Sequence, residues 1–134
     1  MYDLIIIGAG PAGLSASVYA SRYGIKHVIL GEVAGGLLTQ TFDVGNWLGT
    51  EAIGGQTFAD NAEKHAKSYG VEILPLTVDR IEKRDGFFEI FASGKSFQTK
   101  TVLIATGTKH RHLGVPGEQE FAGKGVSFCP TCDG

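Results

Sequence analysis

The chain has 134 residues and a net charge of −2, so it carries no electrostatic footprint for nucleic acid. Its length suits one domain, or one domain and the start of another. Hydrophobic residues make up 43% and charged residues 19%, a balance that excludes a disordered polar chain, and no apolar run approaches the roughly 20 residues that span a membrane. The N-terminus reads as a strand rather than a basic segment with a cleavable apolar stretch, so no signal peptide is expected. Both cysteines fall in one C-x-x-C, which suits a reducing, cytoplasmic compartment and redox chemistry better than a secreted disulfide scaffold.

Tyr2 to Gly13 (YDLIIIGAGPAG) organises the rest. An apolar run, Leu4 to Ile7, stops at Gly8; Gly10, Pro11, Ala12 and Gly13 follow, and an Ala/Ser-rich segment runs from Leu14 to Tyr23. Strand, glycine turn and helix in that order form the G-x-G-x-x-G dinucleotide fingerprint in its required context. Gly8 serves the sharp turn, Gly10 the approach of a pyrophosphate to backbone, and Gly13 close helix–strand packing, with the phosphates on free N–H groups at the helix start. Pro11 fits the first helical turn, where no intrahelical partner is lost. Lys26 to Leu30 is the second strand. Glu32, 19 positions beyond Gly13, stands where an acid takes the ribose hydroxyls of an adenosine; the alternative is a solvated loop glutamate.

Gly35 to Gly49 has no clean period and holds the one Trp, so it reads as a long functional loop. Gln56 to Tyr69 reads as an amphipathic helix ended by Gly70, with Phe58, Ala62, His65 or Ala66, and Tyr69 on one face, and His65 as a face residue rather than a ligand. Val71 to Leu76 is a short strand that Pro75 marks as bent or at an edge. Thr77 to Arg84, the turn at Asp85-Gly86, Phe87 to Ala92, the turn at Ser93-Gly94-Lys95, and Ser96 to Lys100 form an antiparallel meander. Thr101 to Ala105 returns as a separate, buried parallel strand ending in Thr106-Gly107, a second place for backbone to approach a cofactor. Lys109-His110-Arg111-His112 is a basic cluster that reads as a solvated loop, with phosphate neutralisation as the alternative, and Val115-Pro116-Gly117-Glu118 reads as a turn.

The chain closes on Cys129-Pro130-Thr131-Cys132-Asp133-Gly134. Two thiols at this spacing can close into a disulfide and store two electrons, as many as a flavin or nicotinamide carries, and Asp133 stands where an acid/base for the thiol protons is needed. The alternatives are a chance pair or a zinc half-site. Structural zinc takes four ligands, and His110-x-His112 is the sole candidate complement, so no metal is expected.

GAGPAG, the Ala105-Thr106-Gly107 strand end followed by Val-Pro-Gly-Glu, and Cys-x-x-Cys-Asp-Gly together resemble the low-molecular-weight (bacterial-type) thioredoxin reductases. The segment from Gly35-Gly36 to Asn46-Trp47 is similar to that family's flavin-side loop. The resemblance implies an α/β, Rossmann-like FAD-binding domain: a parallel sheet with an inserted antiparallel meander, incomplete at its C-terminal end. Residues 1–113 would belong to that domain, and residues 114–134 would be the linker and the start of an NADPH and dithiol domain. It implies FAD at Gly8, Gly10 and Gly13, with Gly36, Leu37, Asn46 and Ala105-Thr106-Gly107 beside the cofactor. Cys132 would face the flavin, Cys129 would attack the disulfide of a thioredoxin-like partner, and Asp133 would manage protons. Electrons would run from NADPH through FAD to Cys129–Cys132 and the partner, in a homodimer.

Some positions depart from the family pattern. Leu37 stands where many members have glutamine, Gly45 and Leu48 replace a frequent acid and proline, and Pro130 replaces a common alanine. Proline between the cysteines is more like the flavoprotein reductases of the peroxiredoxin system. Family members continue through a nicotinamide domain and a final flavin-domain segment, so the chain looks like the N-terminal part of a reductase. The competing readings are a non-catalytic FAD-binding module and a related flavin enzyme acting on another dithiol, with ferredoxin as an alternative electron donor.

Overall fold

The computed structural model describes residues 1–109 and 111–128. Among these residues nine elements follow one another: β1 (Tyr2–Ile7), α1 (Pro11–Arg22), β2 (His27–Leu30), a 3₁₀ turn (Gly36–Gln40), α2 (Gly55–Ser68), β3 (Ile73–Leu74), β4 (Val78–Lys83), β5 (Phe88–Ala92) and β6 (Lys95–Ile104). The six strands form one sheet in the order β3-β2-β1-β6-β5-β4. β3, β2, β1 and β6 run parallel, β5 is added antiparallel to β6, and β4 antiparallel to β5. This is the parallel sheet with an inserted meander that the sequence implies, and β3 lies at the edge where Pro75 placed it. Among the described residues no helix is long and apolar enough to cross a membrane.

Alternation along the strands divides the core in two. Ile5 and Ile7 of β1 join Val28, Leu30, Ile90 and Ala92 in one cluster, and Phe88, Phe97 and Val78 of the meander pack against it. Ile6 and Ile29 point the other way and pack with Leu14 of α1, Ala66 of α2 and Val71. β1 is thus covered on both faces, as a central parallel strand must be, and a fully buried Ile side chain contributes about 1.5–3 kcal/mol.

Three features differ from the expected elements. The loop after β2 contains the 3₁₀ turn, opened by Gly35 and Gly36 with positive φ of 93° and 55°. The expected strands 96–100 and 101–105 are one strand, β6. Thr99 pairs with Phe88 of β5 on one side and Tyr2 of β1 on the other. The strand therefore exchanges one set of neighbours for another without a break. On α2 the buried positions are Gly55, Ala59 and Ala66, whereas Phe58, Ala62, His65 and Tyr69 line a groove of ≈ 510 Å³ shared with α1. Gly55 and Ala59 are small because the 3₁₀ segment packs closely there: a Cβ on Gly35 would collide with that of Ala59, and one on Gly55 with the Leu38 and Thr41 carbonyls. His65 stands on that groove face with its ring 5.8 Å from Tyr69.

Candidate functional site

The parallel register aligns Ile7, Leu30 and Ile104, so β1, β2 and β6 end at one edge of the sheet. Open α/β sheets bind ligands outside that edge. Here the chain makes its glycine turn. Gly8 N–H donates to Leu30 O at 2.7 Å, and Ala105 N–H donates to Ile7 O at 2.7 Å. Gly8 has φ +111°, and a Cβ there would run into the Ala105 carbonyl; a Cβ on Gly13 would run into the Gly8 carbonyl. The fold itself requires both glycines.

Gly10 is different. Its φ of −73° and ψ of −178° are open to any residue, and an added Cβ would meet no protein atom within 4 Å. No packing contact among the described residues requires glycine at this position, which as a helix N-cap would also accept Ser, Thr, Asp or Asn. It lies at the N-cap of α1, whose first turn has no capping side chain and no acidic residue. Partly positive N–H groups thus face a space that a side chain at residue 10 would occupy, which fits a pyrophosphate lying against the backbone.

The other candidate residues fall around this mouth to different degrees. Pro11 and Ala12 are exposed on the first turn of α1. Gly35 N–H donates to Ala9 O at 2.8 Å, and a Cβ on Gly36 would lie 3.2 Å from Gly10 Cα, so the 3₁₀ turn forms one wall. Leu37, on that turn, is partly exposed. Ala105 is half-buried behind Gly8, and Thr106 and Gly107 continue exposed from β6. Asn46 is exposed in a loop closed by the Val44–Ile53 bridge and anchored to α2 through Trp47, whose ring lies 5.0 Å from that of Phe58. No hydrogen bond joins Asn46 to the glycine turn among the described residues. Glu32 is exposed just past β2, and its carboxylate accepts a hydrogen bond from the Thr77 hydroxyl. Cys129, Cys132 and Asp133, and also His110, lie outside the described residues.

Two residues have roles that the sequence did not disclose. Thr77 read only as the first residue of a strand, yet it holds Glu32. Glu118 read as part of a turn, yet its side chain is buried at 6% exposure. Its two carboxylate oxygens accept the Leu113 and Gly114 N–H groups, each at 2.8 Å, and His112 Nδ1 lies 3.5 Å away. The Leu113 N–H group, then that of Gly114 and the nearby His112, hold its carboxyl below the usual value. His112 also meets the edge of Phe128, the residue before Cys129, at 5.3 Å between rings.

A mixed six-stranded sheet with a parallel core, and a glycine turn against an uncapped helix start at its carboxyl edge, define a Rossmann-like α/β fold. The chain belongs to the pyridine nucleotide-disulphide oxidoreductase family, whose model matches residues 2–134. It is 42% identical over 135 residues to a thioredoxin reductase of Treponema pallidum, with 99% of this chain and 44% of that protein covered. It is 39% identical over 134 residues to an NADH dehydrogenase of Bacillus subtilis, with 99% of this chain and 26% of that protein covered. The crystal structure of thioredoxin reductase from Streptococcus pyogenes superposes with a TM-score of 0.90 at 40% identity, over 99% of this chain and 44% of that one. The chain thus spans less than half the length of these relatives.

Proposed function

We propose that this chain holds FAD within a dithiol–disulfide oxidoreductase of the thioredoxin reductase type. Gly10 carries the reading: it is the one glycine of the fingerprint that the polypeptide does not need. The pyrophosphate would lie on the N–H groups of Gly10, Ala12 and Gly13, Pro11 having none to give, with Glu32 on the adenosine ribose. Gly36, Leu37, Asn46, Ala105, Thr106 and Gly107 would form the sides of the cofactor site. Residues 1–113 would be the flavin part, and residues 114–134 would lead into the part that carries the dithiol. Bound FAD would supply a two-electron relay between a nicotinamide and a thiol pair. Cys132 would be the thiol on the flavin side, Cys129 the thiol that attacks the partner's disulfide, and Asp133 the proton donor and acceptor. NADPH as electron source, a thioredoxin-like partner, homodimeric assembly and a cytoplasmic site of action belong to the same proposal.

One second reading has specific support. Pro130 between the cysteines and the likeness to an NADH dehydrogenase favour a reductase that draws on NADH and serves a peroxiredoxin-type partner. The test of flavin–dithiol chemistry is the visible spectrum of the purified protein with FAD, before and after dithiothreitol. Retained flavin absorption that shifts when the dithiol forms, and does not shift in Cys132→Ser, is expected. A protein that stays colourless contradicts the proposal.

A further inference from the structure

We propose that Thr77 is a positioning residue that aims Glu32 at the ribose of an adenosine lacking a 2′-phosphate, and that the β5–β6 hairpin turn holds Thr77 in place. The inference rests on the reading of Glu32 as the ribose acid within an FAD site. β2 and β3 pair in parallel, with Leu30 opposite Leu74, and Gly31 N–H donates to Leu74 O at 3.0 Å. Glu32 and Thr77 therefore leave the sheet at the same carboxyl edge, 45 residues apart in sequence, and there the Thr77 hydroxyl donates to Glu32 Oε1.

An exposed glutamate left alone spreads over many rotamers, and each must be given up when a ligand binds. One hydroxyl bond removes that freedom before binding. It also leaves acceptor capacity on both carboxylate oxygens for a ribose diol, because an ionised carboxylate offers about four lone-pair sites. A carboxylate fixed in this way repels a 2′-phosphate, so the site favours FAD-type or NAD-type adenosine over the NADP type. Threonine is suited to the task, since its branched Cβ restricts χ1.

Thr77 is itself fixed from the other side. Its N–H donates to Ser93 Oγ at 3.1 Å, and its carbonyl accepts the Ser93 N–H at 3.0 Å. The same Ser93 N–H lies 3.0 Å from Asp79 Oδ2. Ser93 has φ +46°, a left-handed conformation uncommon outside glycine, at the tip of the β5–β6 hairpin. The turn thus presents both its amide and its hydroxyl to residues 77–79. The antiparallel insertion, which already meets the mouth through the end of β6, thus also reaches it along Ser93, Thr77 and Glu32.

The test is a double-mutant cycle read by FAD titration of the purified protein, with urea unfolding of each variant as a control. Thr77→Val should weaken FAD binding about 5-fold, the scale of one lost hydrogen bond, and Thr77→Ser should stay within about 2-fold of wild type. In a Glu32→Ala background, which removes the acceptor, Thr77→Val should cost little more, because residues that act through one another are not additive. Unchanged FAD affinity in Thr77→Val, failure of Thr77→Ser to retain binding, or an undiminished loss in the Glu32→Ala background would each overturn the inference while leaving FAD binding itself intact. A wild-type protein that takes up no FAD would overturn both readings.

Discussion

Adding a methyl group to each glycine of the β1–α1 turn separates what the fold needs from what a ligand needs. At Gly13 the new Cβ would strike the Gly8 carbonyl and press on Ile6 Cγ2 at 3.3 Å, so helix and strand would have to part. Alanine is about 1 kcal/mol better than glycine inside a helix, but overpacking costs typically 1–3 kcal/mol and here involves backbone. Gly13→Ala should therefore be destabilised by about 1–3 kcal/mol in urea unfolding; an equal or higher midpoint would contradict the packing role. At Gly8 a positive φ adds strain to the collision, so Gly8→Ala should be the more damaging of the two. Glu32 belongs to this scale as well. Its position relative to the glycines was readable from spacing, but Thr77, which holds it, was not, because the contact depends on how two strand ends meet.

At the scale of elements, the turn from Leu113 to Glu118 is fastened by one buried carboxylate. The native pKa of Glu118 is held below its ordinary value, chiefly by the Leu113 N–H, then by Gly114 and His112. A group depressed in this way stabilises the folded turn above its unfolded pKa, near about 4.3, and loses that contribution as pH falls through the lower native value. Amide exchange at Leu113 and Gly114 should lose protection below about pH 4 in the wild type, whereas Glu118→Gln should lack this acid step. Identical acid profiles for the two proteins would contradict the role. The Val-Pro-Gly-Glu sequence announced a turn, but burial of its acid was invisible without the backbone donors it meets. β6 shows a related limit. The change from polar Lys95–Lys100 to apolar Thr101–Ile104 looked like a boundary between two strands. It marks instead a change of neighbours along one strand, because Thr99 is bonded on both sides. On α2, periodicity found the helix and offered Ala66, which is buried, but otherwise favoured the aromatic stripe over Ala59, a small residue with a weak hydrophobic signal.

For the molecule as a whole, the parts most legible in the sequence were those with strict local requirements. The run Leu4–Ile7, the glycine spacing and the turns at Asp85-Gly86 and Ser93-Gly94 each impose a backbone shape, and together they gave the parallel sheet with its meander. What depends on distant segments meeting, such as Ser93 on Thr77, Trp47 on Phe58 and Gly35 on Ala59, had to be seen in three dimensions. The glycine turn, Gly35-Gly36 and the end of β6 meet at one edge of the sheet, and the central claim is that this edge binds FAD with the pyrophosphate over Gly10. The most direct measurement is calorimetric titration of FAD into the wild type and Gly10→Ala, with urea unfolding of both in the absence of FAD. An added Cβ meets no protein atom at residue 10 and costs only the N-cap preference for glycine over alanine, so Gly10→Ala should unfold within about 1 kcal/mol of the wild type yet bind FAD at least about 10-fold more weakly. Equal FAD affinity in the two proteins would contradict the claim.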